Sequence, residues 1–585
     1  MQLRLYTLSP LHIGTGENLA PLDYVAYDGR FYRVTQDDLV RLVKQAIPNG
    51  ARTLANWISD QYAELNETRD NRRQSAIMAA TNPYTFFQKQ GKAQVLLQFL
   101  RSVPGSGSKV ILDDDRSIKG QPRPTGAVDL GQVREAARSA EYPYLPGSSL
   151  KGALRTALLY NYLSNHADVA QIERIVKKQL ADPKVRRESF AKPLEEAVFF
   201  CDYFDGARNK TRSGEAQMDL MRVVSLSDAR WVGTNNYQPE VAKINIYLVE
   251  KIRHPQRRDE VSFVSGRQRQ ATYAEVIPAG SELSAELHVD GRYLQHLAHW
   301  LGNNDGLKRG DDRYWIGAAS RLEKLFGISL EEARTLKPEA IEEKIGMHLL
   351  ACYDRFSRRQ LERQGVWLDH YLRHDSGDAN NFAARIQNGF APVVGAAQPL
   401  LHLGYGAGFT ATTVLLYFLE DRRHDNLVKA ILEKFQIGKA PNQPPPYTAN
   451  IARFPKSRRL VESENRIQPL GWIALLKAGE APPDVNATAT AVFASGSAAT
   501  ESAKPVEPEY FKGTLNPKKP PMLDAVVLKS GRPNRVLVYL EPERRVELDL
   551  NGYASPLDEK TVIVVRSVIN NKGELVQVSF SKRKS

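Results

Sequence analysis

Cysteine is nearly absent from this chain. Its 585 residues hold two, Cys201 and Cys352, and neither a disulfide framework nor a cysteine-rich zinc site can be built from so few. Such scarcity suits a reducing compartment, and a cytoplasmic location is expected. Long apolar runs are missing too. From Ile386 to Leu419 no residue is charged, yet Asn388, Pro392, Gln398, His402 and repeated glycines interrupt the stretch, well short of the roughly 20 continuous apolar residues of a membrane span. No basic amphipathic helix or lipidation motif points to a membrane partner. Met1 to Leu8 alternates apolar and polar residues instead of placing a basic segment before an apolar one, so no signal peptide is expected. The P-loop spacing, the nucleophile elbow and the His-Glu-x-x-His pair are not found, which leaves the chemistry each carries without sequence support.

Cationic charge is what the chain has in excess. Lys and Arg number 80 against 67 Asp and Glu, a net charge of +13, and the isoelectric point lies near 9.4. A balance of this kind favours a polyanionic partner. With 42% hydrophobic and 25% charged residues the composition is globular, and the length allows about three or four domains at ~150 residues each.

Periodicity predicts a mixture of strands and helices. Met1 to Leu8 reads as a strand, and Asp23 to Tyr27 turns at Asp28-Gly29 into Arg30 to Val34, a hairpin pattern. Thr35 with Asp38 three residues on is an N-cap signal before a largely helical stretch reaching about Leu100. Ser102 to Gly126 is rich in Gly, Pro, Ser and Asp and reads as a long loop. Pro146-Gly-Ser-Ser149 opens a helix, strands are expected at Arg222 to Ser227, Ile244 to Val249 and Glu282 to Val289, and residues 290 to 375 read as mostly helical, with a further helix after Thr412. Between these strands, Arg253 to Arg258 and Gly266 to Gln270 form a basic segment.

Three domains follow from composition. Residues 1–480 form an α+β body with helical insertions; residues 481–506, dominated by Ala, Thr, Ser and Pro, form a flexible linker; residues 507–585 hold five short strand patterns and read as a small OB-like β-barrel. That last segment carries 14 basic and 10 acidic residues, +4 of the +13.

Four motifs carry chemistry. After the first strand comes Ser9-Pro-Leu-His-Ile-Gly-Thr-Gly16, where Gly14 and Gly16 let backbone approach a phosphate and His12 adds a hydrogen bond or a stacking face. In Tyr144-Leu-Pro-Gly-Ser-Ser-Leu-Lys-Gly-Ala-Leu-Arg155, a helix start with Ser148 and Ser149 precedes Lys151 and Arg155 on one face, a phosphate-binding arrangement. His402-Leu-Gly-Tyr-Gly-Ala-Gly-Phe409 supplies Gly404, Gly406 and Gly408. It lacks the flanking pattern and acidic partner of a dinucleotide site, and suits a loop over a nucleic-acid backbone. Arg453-Phe-Pro-Lys456-Ser-Arg458-Arg459, followed by Pro469-Leu-Gly-Trp472, interleaves cations with aromatics as single-stranded RNA binding prefers. Each also has a plainer reading: a strand exit, a capped amphipathic helix, a glycine turn, a solvated basic turn.

In this order the four motifs, from Ser9 to Trp472 and spanning about Met1 to Lys477, resemble the RAMP superfamily of CRISPR proteins, most closely the fifth Csm subunit family of type III-A effector complexes. The resemblance implies a ferredoxin-like, RRM-like core. It also implies a non-catalytic subunit that binds guide crRNA, caps its 3′ end and supports its maturation in antiviral defence. Implied partners are crRNA, target RNA, other Csm subunits and host ribonucleases, with no cofactor. In cleaving relatives an early loop carries an aspartate that acts with a divalent metal; Asp23 falls in a similar place, in Ala20-Pro-Leu-Asp23 rather than a Gly-Gly context. The alternative is a metal-dependent ribonuclease using Asp23, or a site at His370 and His374, whose i, i+4 spacing can hold one ion beside Asp369 and Asp375.

Overall fold

The computed structural model describes residues 1–102, 107–111, 130, 132–139, 142–166, 168–205, 210–212, 219–232, 240–252, 260–264, 272–303, 313–316, 318–371, 382–439, 446–451, 454–455, 457–463, 466–487, 522–529, 534–541, 544–551, 562–569 and 575–583. Contacts divide the chain into two units, Met1–Ala494 and Ser495–Ser585.

At the centre of the first unit lies an antiparallel sheet whose strands come from both ends of that unit. We label its elements in chain order: β1 (Gln2–Thr7), α1 (Gly147–His166), β2 (Val224–Leu226), β3 (Glu282–Val289), α2 (Pro338–Tyr371), β4 (Leu400–His402) and β5 (Trp472–Leu476). The strand order is β2-β3-β1-β5-β4, so β1-α1-β2-β3-α2-β5 has ferredoxin-like connectivity and β4 is an added edge strand. The alternation read in β1 is what fixes its register. Leu3 and Leu5 are buried beside Leu283, Ala285, Ile473 and Leu475, and this face takes Leu150, Leu154 and Leu158 of α1 and Ile345, Leu349 and Phe356 of α2. Each such leucine or isoleucine contributes about 1.5–3 kcal/mol of burial. The opposite face packs Leu8, Leu400, Trp472 and Ala474 against Val393 and Ala396.

Several expectations hold at the level of local chemistry. The hairpin Tyr24–Tyr27 and Arg30–Arg33 turns through Asp28 at φ 50° and Gly29 at φ 70°, the doubly left-handed turn that tight hairpins favour. Thr35 accepts the Asp38 N–H at 3.0 Å while its hydroxyl donates to Asp38 Oδ2 at 2.7 Å; the short aspartate bonds the capping hydroxyl. Five helices follow between Gln36 and Ser102.

Others are corrected. Within the stretch read as a loop from Ser102 to Gly126, Gly107–Ile111 is a strand, paired antiparallel with Arg30–Tyr32 and parallel with Glu240–Ala242. Its Gly-Ser composition hides it because the neighbouring strands supply the pairing; most of the rest lies outside the described residues. The strand read from Arg222 begins at Val224, after a 3-10 turn Leu220–Val223 started by Asp219, whose Oδ1 accepts the Met221 N–H. Glu260–Val264 is a strand inside the segment read as exposed and basic, and Arg313–Ile316 interrupts the helical region. The cations Arg253 to Arg258 and Gly266 to Gln270, and the linker beyond residue 487, lie outside the described residues.

The second unit is a closed five-stranded barrel of β6 (Met522–Lys529), β7 (Asn534–Glu541), β8 (Arg544–Asn551), β9 (Val562–Ile569) and β10 (Leu575–Arg583). Its order is β6-β7-β8-β10-β9, with β8 and β10 parallel and the other pairs antiparallel. This is OB-fold connectivity. Leu523, Ala525, Val536, Val538, Leu550, Val565 and Val578 fill the interior.

Candidate nucleic-acid interface

Three of the four motifs meet at one end of the central sheet. Beyond β1, Leu11 exchanges two backbone hydrogen bonds with Ile277 (2.9 and 2.8 Å), and His12 Nδ1 lies 2.6 Å from the Glu275 carbonyl. His12 is 3% exposed, and burial lowers its pKa. Glu275, 1% exposed, is held by Arg33 at 2.8 Å, Arg138 at 2.6 Å and the Ala136 N–H at 3.0 Å. Glu275 therefore holds the first loop through its carbonyl and, through its carboxylate, the strands Arg30–Arg33, Val133–Ala136 and Arg138–Ser139.

The glycine-rich loop leaves β4 and crosses directly over His12. Tyr405 N–H donates to the His12 carbonyl at 3.0 Å, and the two rings meet edge to face at 5.7 Å. A Cβ on Gly404, whose φ is +91°, would lie 2.7 Å from that carbonyl, and one on Gly406 would lie 2.0 Å from Leu470 Cβ. Gly471 closes the arrangement: its N–H donates to Pro10 O at 2.9 Å, and a Cβ there would be 1.9 Å from Leu403 O. Glycine is required at these three positions by contact.

The loop forms one wall of a cleft of about 510 Å³, lined among others by Arg187, Arg363, Arg458, Arg459, Tyr405, Phe409, Phe454 and Trp472, and among the described residues by no carboxylate. Arg459 lies 4.3 Å and Arg134 4.5 Å from the Tyr405 ring centre, and Arg187 lies 5.3 Å from that of Phe409. Arg458 stacks on Trp367 at 4.2 Å and donates to the carbonyls of Pro455 and Ser457, each at 3.1 Å. Desolvation, reinforced by Arg363, pulls its pKa down to about 9. Cations stacked on aromatics, with no carboxylate among the described lining residues, give this cleft the chemistry to hold an anion.

Beneath this wall His402 stacks on Trp472 at 3.9 Å, the planes 7° apart. Its Nε2 faces Leu470 O at 3.2 Å and its Nδ1 faces the Gln360 amide at 2.8 Å. Burial lowers its pKa to about 3, so the ring is neutral and carries one N–H. Nε2–H donating to Leu470, with the Gln360 amide turned so that its NH₂ donates to Nδ1, satisfies both contacts. Because the folded pKa lies below the ordinary value near 6.5, stability is complete above that pH and falls as pH drops toward 3, by up to about 1.4 kcal/mol per unit. His402→Gln is expected to flatten that part of a stability-versus-pH curve; an unchanged slope would show that this ring is not its source.

The predicted residues divide. His12 sits under the cleft wall; Gly404, Gly406, Gly408, Arg458 and Arg459 line the cleft. Gly14 and Gly16 lie on the exposed strand Gly14–Leu19, outside the lining. So does the second motif. Gly147 N–H is capped by Asp228 at 2.9 Å, Lys151 donates to Val224 O at 2.7 Å, and Arg155 bonds Glu195 at 3.1 Å and Asp219 at 2.6 Å over the Phe199 ring. Both cations are engaged inside the protein, while Ser148 is exposed and Ser149 half-buried. Arg453 and Lys456 lie outside the described residues, as do His374, Asp375 and the side chains of Asp369 and His370. Asp23 Oδ2 accepts the Ala20 N–H at 2.8 Å, capping its own turn. Among the described residues no group of three or more His, Cys, Asp or Glu side chains is placed to hold a metal, and no helix is long and apolar enough to cross a membrane.

The motifs did not show Arg187, Gln360 or Arg363 as cleft residues. Gln360 and Arg363 are three apart on α2 and share a face, but polar residues at that spacing occur on any solvated helix.

Over 165 residues the chain is 29% identical to the CRISPR system protein Csm5 of Streptococcus thermophilus, covering 27% of this chain and 37% of that one. The aligned part thus spans little more than a third of that relative. Among solved structures, a chain of a type III-A Csm–crRNA–target RNA ternary complex is similar at TM-score 0.48 and 20% identity, covering 81% of this chain and 100% of that one. Csm5 of T. onnurineus is similar at TM-score 0.42 and 20% identity, covering 80% and 99%. The RAMP superfamily model matches residues 4–328, more than half of the chain, and this protein therefore belongs to the RAMP superfamily.

Proposed function

We propose that this chain is the Csm5-like subunit of a type III-A effector particle: it binds guide crRNA, caps the 3′ side of the complex and supports crRNA maturation without cleaving RNA itself. The observation that carries the reading is the cleft beside the glycine-rich loop, whose four arginines meet no carboxylate among the described lining residues. Superfamily membership and the likeness to Csm5 support the assignment to that particle. Guide–target pairing would select sequence, leaving the protein to hold backbone and unpaired bases. Its partners would be crRNA, target RNA paired to it, other Csm subunits and host ribonucleases that trim the guide. The engagement of Asp23 in its own turn supports the non-catalytic role.

The test is reassembly of the particle with Arg187→Ala plus Arg459→Ala. We expect crRNA per particle to fall several-fold, or its 3′ end to be trimmed further. Asp23→Ala is expected to leave RNA cleavage unchanged. Full RNA content and length in the double variant would overturn RNA binding at this cleft, and loss of cleavage with Asp23→Ala would overturn the non-catalytic role.

A further inference from the structure

Arg458 presents a problem that the fold does not solve. The residue is half-buried, among the described residues its donors reach only the backbone carbonyls of Pro455 and Ser457, and the charge acting on it most strongly is another cation, Arg363. Arg363 in turn donates to Leu419 O at 3.0 Å; Glu420 and Asp425 act on it from a distance, without a hydrogen bond and without offsetting its desolvation. A desolvated cation beside a second cation costs folding stability unless an anion completes the pair. The floor of the same cleft carries a second unmet demand. Gln360 is 5% exposed, and one end of its amide meets His402 while the other has no partner. Turning the amide exchanges which atom is left over and does not remove the deficit. Trp472 Nε1, also in the lining, is likewise buried without a partner.

The enclosing shape narrows what can answer these demands. A volume of about 510 Å³ falls within the ~300–1,000 Å³ of small-ligand pockets. The walls are guanidinium–aromatic pairs, Arg459 with Tyr405 and Arg187 with Phe409, flat polarisable surfaces of the kind on which unstacked bases lie.

We propose that the cleft is a pocket for one unpaired nucleotide, with Arg363 and Arg458 holding its phosphate, the guanidinium–aromatic walls taking its base, and the spare polar atom of Gln360 bonding its base or ribose. This rests on the RNA-binding reading and adds a ligand unit to it: a single splayed nucleotide rather than a backbone tracked along a groove. It also predicts a signature that a structural arginine would not give. Arg458→Met keeps apolar contact with Trp367 and removes the uncompensated charge, so the empty protein should become as stable as the wild type or more so, while ligand binding is lost.

The experiment uses the full chain. Uridine monophosphate and inorganic phosphate are titrated calorimetrically into wild type, Arg458→Met and Arg363→Gln, thermal melts are recorded for each, and a short single-stranded oligoribonucleotide is titrated over a salt series. We expect the mononucleotide to bind wild type at least tenfold more tightly than phosphate does. Both substitutions should weaken it at least tenfold, Arg458→Met without lowering the melting temperature. The slope of log affinity for the oligonucleotide against log salt should fall by about 0.7 for each phosphate contact removed. Equal binding of phosphate and mononucleotide would reduce the site to an anion pocket and overturn the proposal. So would a lower melting temperature of Arg458→Met with mononucleotide binding retained. If wild type binds the oligonucleotide and both variants bind it equally well, the pocket fails while the RNA-binding reading stands. If wild type binds mononucleotide but no oligonucleotide, the RNA-binding reading fails while the pocket stands.

Discussion

Glu275→Ala is expected to destabilise the body by about 3 kcal/mol, the lower end of the ~3–5 kcal/mol seen when one partner of a buried ion pair is removed. The carboxylate is 1% exposed and is shared by Arg33 and Arg138, whose side chains are 30% and 12% exposed, so its loss removes the anion between two partly buried cations and the acceptor of the Ala136 N–H, while Arg33 keeps Glu135 at 2.6 Å. The residual access of Arg33 to water keeps the cost at the low end. All six tryptophans precede residue 480, so urea unfolding followed by tryptophan fluorescence reports this unit and not the barrel. Double replacement of Arg33 and Arg138 by Met in the Glu275→Ala background should recover part of the loss, because part of the cost is repulsion between the two cations once the carboxylate between them is gone. A loss below about 1 kcal/mol would show the cluster to be solvated and its bonds interchangeable with water.

Gly471→Ala should be the second large effect, at about 3 kcal/mol. Its φ of +80° costs a Cβ-bearing residue ~1–2 kcal/mol, and that Cβ would sit 1.9 Å from Leu403 O, so the backbone joining β4 to the glycine-rich loop must shift. Gly408 is the control. It has a similar φ of +79° but open space around the missing Cβ, so Gly408→Ala should cost only about 1–2 kcal/mol. Equilibrium unfolding of both variants, with RNA retention measured alongside, separates conformational strain from steric exclusion. Equal costs would mean that the close approach at Gly471 relaxes freely. We expect Gly471→Ala to lose RNA as well, since Tyr405 and the loop are held in place by contacts through Leu403, Gly471 and Pro10.

Sequence by itself determined much of this protein. Alternation marked β1 and β3, the Asp28-Gly29 pair marked the hairpin, and five short patterns after the Ala-Thr-Ser-Pro stretch marked the barrel, because each depends on residues adjacent along the chain. The glycines of Leu403 to Phe409 were legible as a loop, and the motif order led to the superfamily. Tertiary structure alone decided which motifs act together. His12 is hundreds of residues from Gly404 and Gly471 along the chain and meets them because β1 lies between β3 and β5. The same folding gave Lys151 and Arg155 internal partners and brought Gln360 and Arg363 from α2 under the loop. Periodicity reports which face of an element is apolar; it carries no information about which charges will find a carboxylate and which will not. In this chain that difference separates Arg155, neutralised by Asp219 and Glu195, from Arg458, whose nearest influential charge is a second arginine.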